Sequence, residues 1–165
     1  MAESFSFDVV SDFDRQELVN TLDQVKREIS QRYDLKDTDT SVELDKENIF
    51  LITNSELTLN AVNDIIRQKA IKRNLSLKIF DYGEIEMVSG NRIKQTILLK
   101  QGIKQEIAKK ISKNIRDQIK KISVSINGET LRVASKSKND LQLAIKIMNE
   151  LEESLNIPLN ANNFR

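Results

Sequence analysis

The side chains with the clearest potential for chemistry are the basic residues between Arg92 and Lys121. This segment contains ten Lys or Arg residues, and only Glu106 and Asp117 oppose them. A run of cations with so few counter-charges attracts partners that carry phosphate. We therefore predict that an anionic ligand meets this part of the chain first.

Within this segment, the spacing of the basic residues predicts a stripe along one helix. Isoleucines at positions 103, 107, 111 and 115 define the apolar side of a helix over 103–119. The basic stripe lies on the opposite side and consists of Lys109, Lys113, Arg116 and Lys120. Such a stripe either contacts nucleic-acid phosphates or is a solvated helix face, which is the more common role of charge runs.

A strand-to-helix turn immediately before this helix is a second candidate for phosphate binding. Lys100, Gln101 and Gly102 end a predicted strand, and the N–H groups of Gly102, Ile103 and Lys104 would converge at the start of the helix. The alternative is a plain turn in which glycine provides tightness. The spacings of a P-loop and of a dinucleotide-binding fingerprint are both absent from the chain.

The exposed face of a predicted sheet extends this candidate site. Lys94, Thr96, Leu98 and Lys100 alternate along one side of a strand over 93–99, and a following hairpin adds Arg132. The face lacks the aromatic pairs with which RNA-recognition sheets stack bases, and coverage by another part of the chain is the alternative. The complete predicted nucleotide- or phosphate-binding set is Lys94, Lys100, Gln101, Gly102, Lys104, Arg132 and Lys136.

Composition argues against catalysis. Histidine and cysteine are both absent, which excludes disulfides, thiolate nucleophiles and zinc sites built from nitrogen and sulfur. Asp8, Asp12 and Asp14 could suggest a magnesium site, but Asp12 and Asp14 stand where helix caps belong. We predict a protein that is not an enzyme, with no catalytic residue, no metal and no cofactor.

The chain also lacks a membrane signature. No stretch approaches the roughly 18 consecutive apolar residues of a membrane span. The acidic start of the sequence differs from a signal peptide. The sequence therefore predicts a cytoplasmic protein that does not enter the membrane.

The elements that must position these residues follow one pattern written twice. A strand over 5–10, a helix from Asp14, a hairpin of strands 41–44 and 49–53, a helix over 58–73 and a strand over 75–79 give the order βαββαβ. The same order returns as a strand over 93–99, a helix over 103–119, a hairpin over 122–134, a helix over 137–153 and a last strand over 157–159. Duplication is the simplest explanation of this repeat.

The pattern predicts an α+β protein of two tandem βαββαβ units, each an antiparallel sheet with both helices on one face. The predicted domains are residues 1–84 and residues 85–165. The first has 11 basic against 17 acidic residues and the second has 15 against 8. We expect function on the sheet faces that the helices leave open.

Several spaced motifs resemble the YajQ family of bacterial nucleotide-binding proteins. They are SFDVVS at 6–11, LKQGI at 99–103, AKKI at 108–111, LRV at 131–133, DLQ at 140–142 and PLNANNFR at 158–165. The resemblance runs from end to end and implies two ferredoxin-like domains, with an exchange of their C-terminal strands left open. It also implies binding of nucleotides, RNA or cyclic di-GMP.

Three functions remain open on this basis. The leading one is a non-catalytic binder of a nucleotide such as cyclic di-GMP, GTP or ATP, acting as a cyclic di-GMP-responsive effector. The second is a low-specificity RNA or tRNA binder that uses the basic stripe. The third is a protein-interaction scaffold, with a protein partner, whose oppositely charged halves dock to each other or head-to-tail between chains.

Overall fold

A computed structural model describes residues 4–165, which form four α-helices and eight β-strands. In chain order, these are β1 (Phe5–Val10), α1 (Arg15–Gln31), β2 (Ser41–Leu44), β3 (Asn48–Thr53), α2 (Glu56–Lys72), β4 (Phe80–Val88), β5 (Arg92–Leu99), α3 (Gln105–Gln118), β6 (Ser123–Asn127), β7 (Thr130–Ser135), α4 (Lys138–Leu155) and β8 (Asn160–Asn162). The elements form two compact units. One unit consists of Met1–Asp12 with Gln101–Arg165, and the other is Phe13–Lys100.

The unit that contains both chain ends is a complete ferredoxin-like fold. Its sheet has the order β6-β7-β1-β8, and every pair of neighbouring strands is antiparallel. Alternate residues Phe7 and Val9 of β1, with Leu131 and Val133 of β7, belong to the same buried core as residues of α3 and α4. The order β1-α3-β6-β7-α4-β8 is βαββαβ, with residues 13–100 inserted after β1.

The inserted unit contains the second sheet, with the order β2-β3-β5-β4. Ile49 and Leu51 of β3 and Ile97 of β5 are fully buried in a core with residues of α1 and α2. In this sheet β5 lies beside β3, the place that β1 takes beside β7 in the other unit. The α+β class and the repeated antiparallel units predicted from the sequence are therefore confirmed.

The two units combine the chain differently from the predicted consecutive domains 1–84 and 85–165. The first strand of each repeat has changed places, whereas β4 and β8, the last strands, stay in the sheets of their own repeats. This differs from an exchange of C-terminal strands. The reason is local: only three residues join β4 to β5, and two of them, Gly90 and Asn91, have positive φ angles of 79° and 57°. A connection this short keeps β4 and β5 adjacent in one sheet, which leaves the place beside β7 to β1.

This exchange also changes the distribution of charge. The unit with both chain ends has 12 basic and 10 acidic residues, and the inserted unit has 14 basic and 15 acidic residues. The strong opposition between the consecutive halves is thus a property of the sequence order and does not extend to the folded units. Docking of oppositely charged halves loses its electrostatic basis.

Some element boundaries differ from the predicted ones. The strand predicted over 75–79 is a short 3₁₀ turn (Leu77–Ile79), and the strand itself follows as β4. Asn74 has a positive φ of 61°, and the hydroxyl of Ser76 accepts a hydrogen bond from the N–H of Lys78 at 3.2 Å, so the backbone turns there before it extends. The last strand begins at Asn160, after the segment predicted for it.

Candidate functional site

The sheet of the unit with both chain ends presents a polar face on the side away from its helices. Ser6 and Asp8 alternate with the buried residues of β1, and Arg132 alternates with those of β7. Asp8 pairs in register with Arg132 on one side and with Asn162 on the other. Residues directly opposite each other share a sheet face. Three strands therefore bring polar side chains together around Asp8.

Arg132 is held in position by this surface. One guanidinium nitrogen lies 3.1 Å from a carboxylate oxygen of Asp8, and another donates to the hydroxyl of Ser6 at 3.3 Å. The side chain of Arg132 keeps 29% of its surface exposed. A guanidinium has five N–H donors in a fixed plane, so a positioned arginine with accessible surface can still donate to a phosphate or a base.

The last residues of the chain extend this face. The N–H and carbonyl groups of Arg165 exchange hydrogen bonds with those of Ser6, at 2.9 and 3.1 Å. Asn163, which has a positive φ of 56°, donates from its side chain to Asp8 at 2.9 Å. Asp8 thus links Arg132 to the C-terminal segment. We name the group Ser6, Asp8, Arg132, Asn162 and Asn163 the Arg132 face.

The sequence points to Arg132 but not to its companions on this face. Its pattern makes Asp8 an outward residue of a strand and gives Asn162 and Asn163 no role. The available signal is the polar run at 160–163, which follows the buried Leu159. The proximity of these residues depends on pairing between the two ends of the chain, which periodicity does not reveal.

Lys94 and Lys100 belong to a different unit from Arg132, and not to one sheet face with it as the sequence predicted. Lys94 is on β5, which belongs to the sheet of the inserted unit, and Lys100 ends that unit. The ammonium of Lys94 lies 5.0 Å from the centroid of the Phe50 ring, which is a cation–π contact. Phe50 alternates with the buried Ile49 and Leu51 and is an aromatic residue of a sheet face that sequence reasoning overlooked.

The predicted phosphate cradle at 102–104 is wrong in its geometry. The N–H of Gly102 donates to the carbonyl of Ser11 at 2.6 Å, and the N–H of Ile103 donates to that of Glu129 at 2.9 Å. These groups are therefore used within the fold. A Cβ atom on Gly102 would clash with the carboxylate of Glu129, so an acidic side chain occupies this turn.

The remaining members of the predicted set have more ordinary surroundings. Lys104 is exposed and is the N-cap residue of α3, but its side chain forms no capping hydrogen bond. The helix begins at Gln105, two residues after the predicted start at Ile103. Gln101 donates from its side chain to Asp12 at 2.6 Å. Lys136 is exposed in the connection between β7 and α4.

The residues of the basic stripe lie along α3, except for Lys120, which follows the end of the helix. Lys109, Lys113, Arg116 and Lys120 are all exposed, whereas Ile111 and Ile115 on the opposite side of α3 are fully buried. In the described part of the chain, no carboxylate lies within ion-pair distance of the four cations. The stripe is therefore an exposed positive surface without ion pairs among the described residues.

Residues 4–165 carry no sign of two other kinds of site. This range contains no group of three or more His, Cys, Asp or Glu side chains that could hold a metal ion. None of the helices within it is long and apolar enough to cross a membrane.

Known proteins similar to this chain share one kind of name. The model of a family described as "Nucleotide-binding protein YajQ-like" matches residues 5–165. A protein named as a nucleotide-binding protein in Prochlorococcus marinus strain AS9601 is 95% identical over 165 residues, and the match covers 100% of both chains. Similarly named proteins of strains MED4 and MIT 9211 of that species are 78% and 57% identical, again over 100% of both chains.

Proposed function

The chain belongs to the family of YajQ-like nucleotide-binding proteins, and on that premise we propose that it binds a nucleotide on the Arg132 face without transforming it. The observation that carries this proposal is the guanidinium of Arg132, which Asp8 and Ser6 hold on the sheet face opposite the helices. A guanidinium in a fixed orientation offers paired N–H donors to phosphate oxygens. The lack of histidine and cysteine supports binding without catalysis.

The chemistry of the face favours a guanine nucleotide, and we propose cyclic di-GMP as the ligand. Guanine presents O6 and N7 acceptors that match an arginine, and its Watson–Crick edge has N–H donors that match a carboxylate such as Asp8. Side-chain amides of Asn162 and Asn163 offer both donors and acceptors beside them. The phosphate oxygens of the ligand would accept hydrogen bonds from the remaining guanidinium N–H groups of Arg132.

The position of Asp8 supports an effector role. This carboxylate contacts both Arg132 and Asn163. A ligand that binds Arg132 or Asn163 in place of Asp8 would therefore change the hydrogen bonding that positions the C-terminal segment. Binding would thereby change the surface that residues 160–165 present to a partner.

Isothermal titration of the purified protein with cyclic di-GMP, GTP and ATP tests this function. We expect saturable binding of cyclic di-GMP, and we expect Arg132→Lys to weaken it by about tenfold because lysine lacks the planar fork of donors. Arg27→Lys, on the exposed side of α1, is the matched control and should leave the affinity unchanged. No binding of any of the three nucleotides, or equal affinity in Arg132→Lys, would contradict the proposal.

The basic stripe supports a second candidate function, low-specificity RNA binding. The observation in its favour is a set of four exposed cations, three on α3 and Lys120 just after it, that form no ion pair with a carboxylate among the described residues. Each phosphate contact releases counterions, so affinity for RNA would fall steeply as salt rises.

Binding of bulk tRNA at several salt concentrations tests this second function. We expect Lys109→Glu with Lys113→Glu to weaken binding and to reduce the slope of log affinity against log salt by about one for each lost contact. The matched control is Lys26→Glu with Lys46→Glu, two exposed lysines of the inserted unit. A salt-independent affinity, or an equal effect of both pairs, would argue against the stripe.

A further inference from the structure

We propose that the outer edge of β4 is a docking site for an extended, basic segment of a protein partner. β4 is the edge strand of the sheet β2-β3-β5-β4, and it pairs with β5 on one side. Within residues 4–165, no strand pairs with its other side. An edge strand presents a row of backbone donors and acceptors that can add a further strand.

Three apolar side chains along β4 are unusually exposed for one side of a sheet. Tyr82, Ile85 and Met87 have exposed fractions of 36%, 41% and 74%. They pair with Ile97, Gln95 and Ile93, which are buried on the side of the helices. The edge therefore carries an apolar row that the unit itself leaves partly uncovered, most of all at Met87, as expected for a binding surface.

The same strand carries three exposed carboxylates, those of Asp81, Glu84 and Glu86. Over the part of the chain that the structure describes, none of them forms an ion pair. Lys94 pairs with Glu86 in register, but its ammonium lies over the Phe50 ring. The negative charge of the edge is thus available to a basic partner.

This charge pattern disfavours a second copy of the chain as the occupant. If two β4 strands paired antiparallel about Glu86, the Glu86 side chains of the two copies would face each other. Like charges directly opposite each other are destabilising. A strand that alternates Lys or Arg with apolar residues would instead complement both the carboxylates and the row of Ile85 and Met87.

A bulge defines where the docking strand can begin. The register between β4 and β5 shifts between Tyr82 and Ile85, and the side chain of Gln95 donates to the carbonyl of Gly83 at 2.9 Å. Asn63 of α2 donates in turn to Gln95 at 2.9 Å. The bulge is therefore fixed from the core side, and the regular edge available for pairing is the stretch from Ile85 to Val88. A bulge and acidic side chains can also serve to prevent an edge strand from pairing. If that is their role here, the edge of β4 will bind no added strand.

Fluorescence anisotropy with the full-length protein and two labelled peptides tests the proposal. The first peptide alternates lysine and valine along a short blocked chain, and the second has the same sequence with N-methylated valines. We expect binding of the first alone, because N-methylation removes the backbone donors that strand addition needs. Absence of binding by the first peptide, or equal binding of both, would overturn the proposal.

Protein variants locate the peptide on the molecule. Glu84→Lys with Glu86→Lys should weaken binding by about fivefold or more, because the attraction between the carboxylates and the lysines of the peptide becomes repulsion. Asp23→Lys with Glu150→Lys makes the same change in net charge at exposed positions of α1 and α4 and should leave the affinity near that of the unaltered protein. An equal loss of affinity in both double variants would mean that the peptide responds to net charge alone, and this would overturn the proposal. The proposal would also be overturned if the unaltered protein were a dimer that the β4 substitutions convert to a monomer.

Discussion

For single residues, the site depends on contacts between positions that are far apart in the sequence. Arg132 and Asp8 are 124 positions apart, yet they form an ion pair in which both side chains are largely covered. A partly desolvated pair of this kind has less screening than a surface pair. The carboxylate reduces the net charge of the face and at the same time orients the arginine, so this face suits a ligand with both a base and a phosphate better than a bare anion.

Gly102 is a residue whose backbone and surroundings both require glycine. Its φ angle is 81°, and a Cβ atom would meet the carboxylate of Glu129. We expect Gly102→Ala to lower the free energy of unfolding by about 2 kcal/mol or more, from the positive φ together with the displacement of Glu129. Urea denaturation measures this change.

Gly128 provides the matched control for that prediction. Its φ angle is also positive, at 61°, but a Cβ atom added there would have no neighbour within 4 Å. Gly128→Ala should therefore cost only about 1 kcal/mol. Adding Glu129→Ala to Gly102→Ala should recover part of the loss, and equal losses at the two glycines would contradict the role given to Glu129.

Among the helices and strands, turns and caps are encoded by neighbouring residues. Asp14 caps α1 by accepting hydrogen bonds from the N–H groups of Gln16 and Glu17, at 3.0 and 3.2 Å. In the β2–β3 turn, Asp45 accepts from the N–H groups of Glu47 and Asn48, at 2.9 and 2.7 Å. These contacts satisfy backbone donors that the helix or the hairpin leaves unpaired.

We expect the carboxylate of Asp45 to make a pH-dependent contribution to the stability of the β2–β3 hairpin. Its pKa lies below the ordinary value because of the hydrogen bond from the N–H of Glu47, with further contributions from Asn48 and the nearby Arg15. A lowered pKa means that the carboxylate stabilises the fold above its unfolded pKa and loses this effect as pH falls through the folded value. Asp45→Ala should be less stable than the unaltered protein at neutral pH, and the difference should shrink as the pH falls below about 4.

Urea denaturation over this pH range measures the difference in unfolding free energy. Asp37→Ala is the control, because Asp37 is exposed and makes no hydrogen bond or ion pair within the described residues. A difference between Asp45→Ala and the unaltered protein that stays constant down to acid pH would contradict the assignment.

Over the molecule as a whole, the exchange of first strands decides which pieces can fold. The unit with both chain ends needs β1 between β7 and β8, and Phe7 and Val9 of β1 are fully buried. The hydrogen bond from Gly102 to Ser11 brings the two segments of this unit together. Residues 13–100 are therefore an insertion whose removal should leave a continuous ferredoxin-like fold.

Two shortened proteins test this arrangement. A chain in which a short glycine–serine linker replaces residues 13–100 should fold, whereas residues 85–165 alone should not, because the sheet would lack its strand between β7 and β8. Dispersion of amide resonances and a cooperative thermal transition measure folding. A well-folded 85–165 fragment would show that β5 can take the place of β1 and would contradict the assignment of the units.

Local patterns in the amino-acid sequence were enough to establish the repeated elements, the buried sides of the helices and the exposed stripe on α3. These features depend on residues a few positions apart, since periodicity places side chains on one side of a helix or strand. The sequence also carried family motifs and identified Arg132 as a candidate nucleotide-binding residue.

In contrast, only the tertiary structure shows which sheet the first strand of each repeat joins. β1 and β5 both alternate buried and outward residues, so their patterns fit either sheet equally well. The choice depends on the short β4–β5 connection and on pairing between distant parts of the chain, which local periodicity does not encode. That choice assigned Lys94 and Lys100 to a different unit from Arg132, brought Asp8 and Asn163 to Arg132, and placed Glu129 against the turn at Gly102.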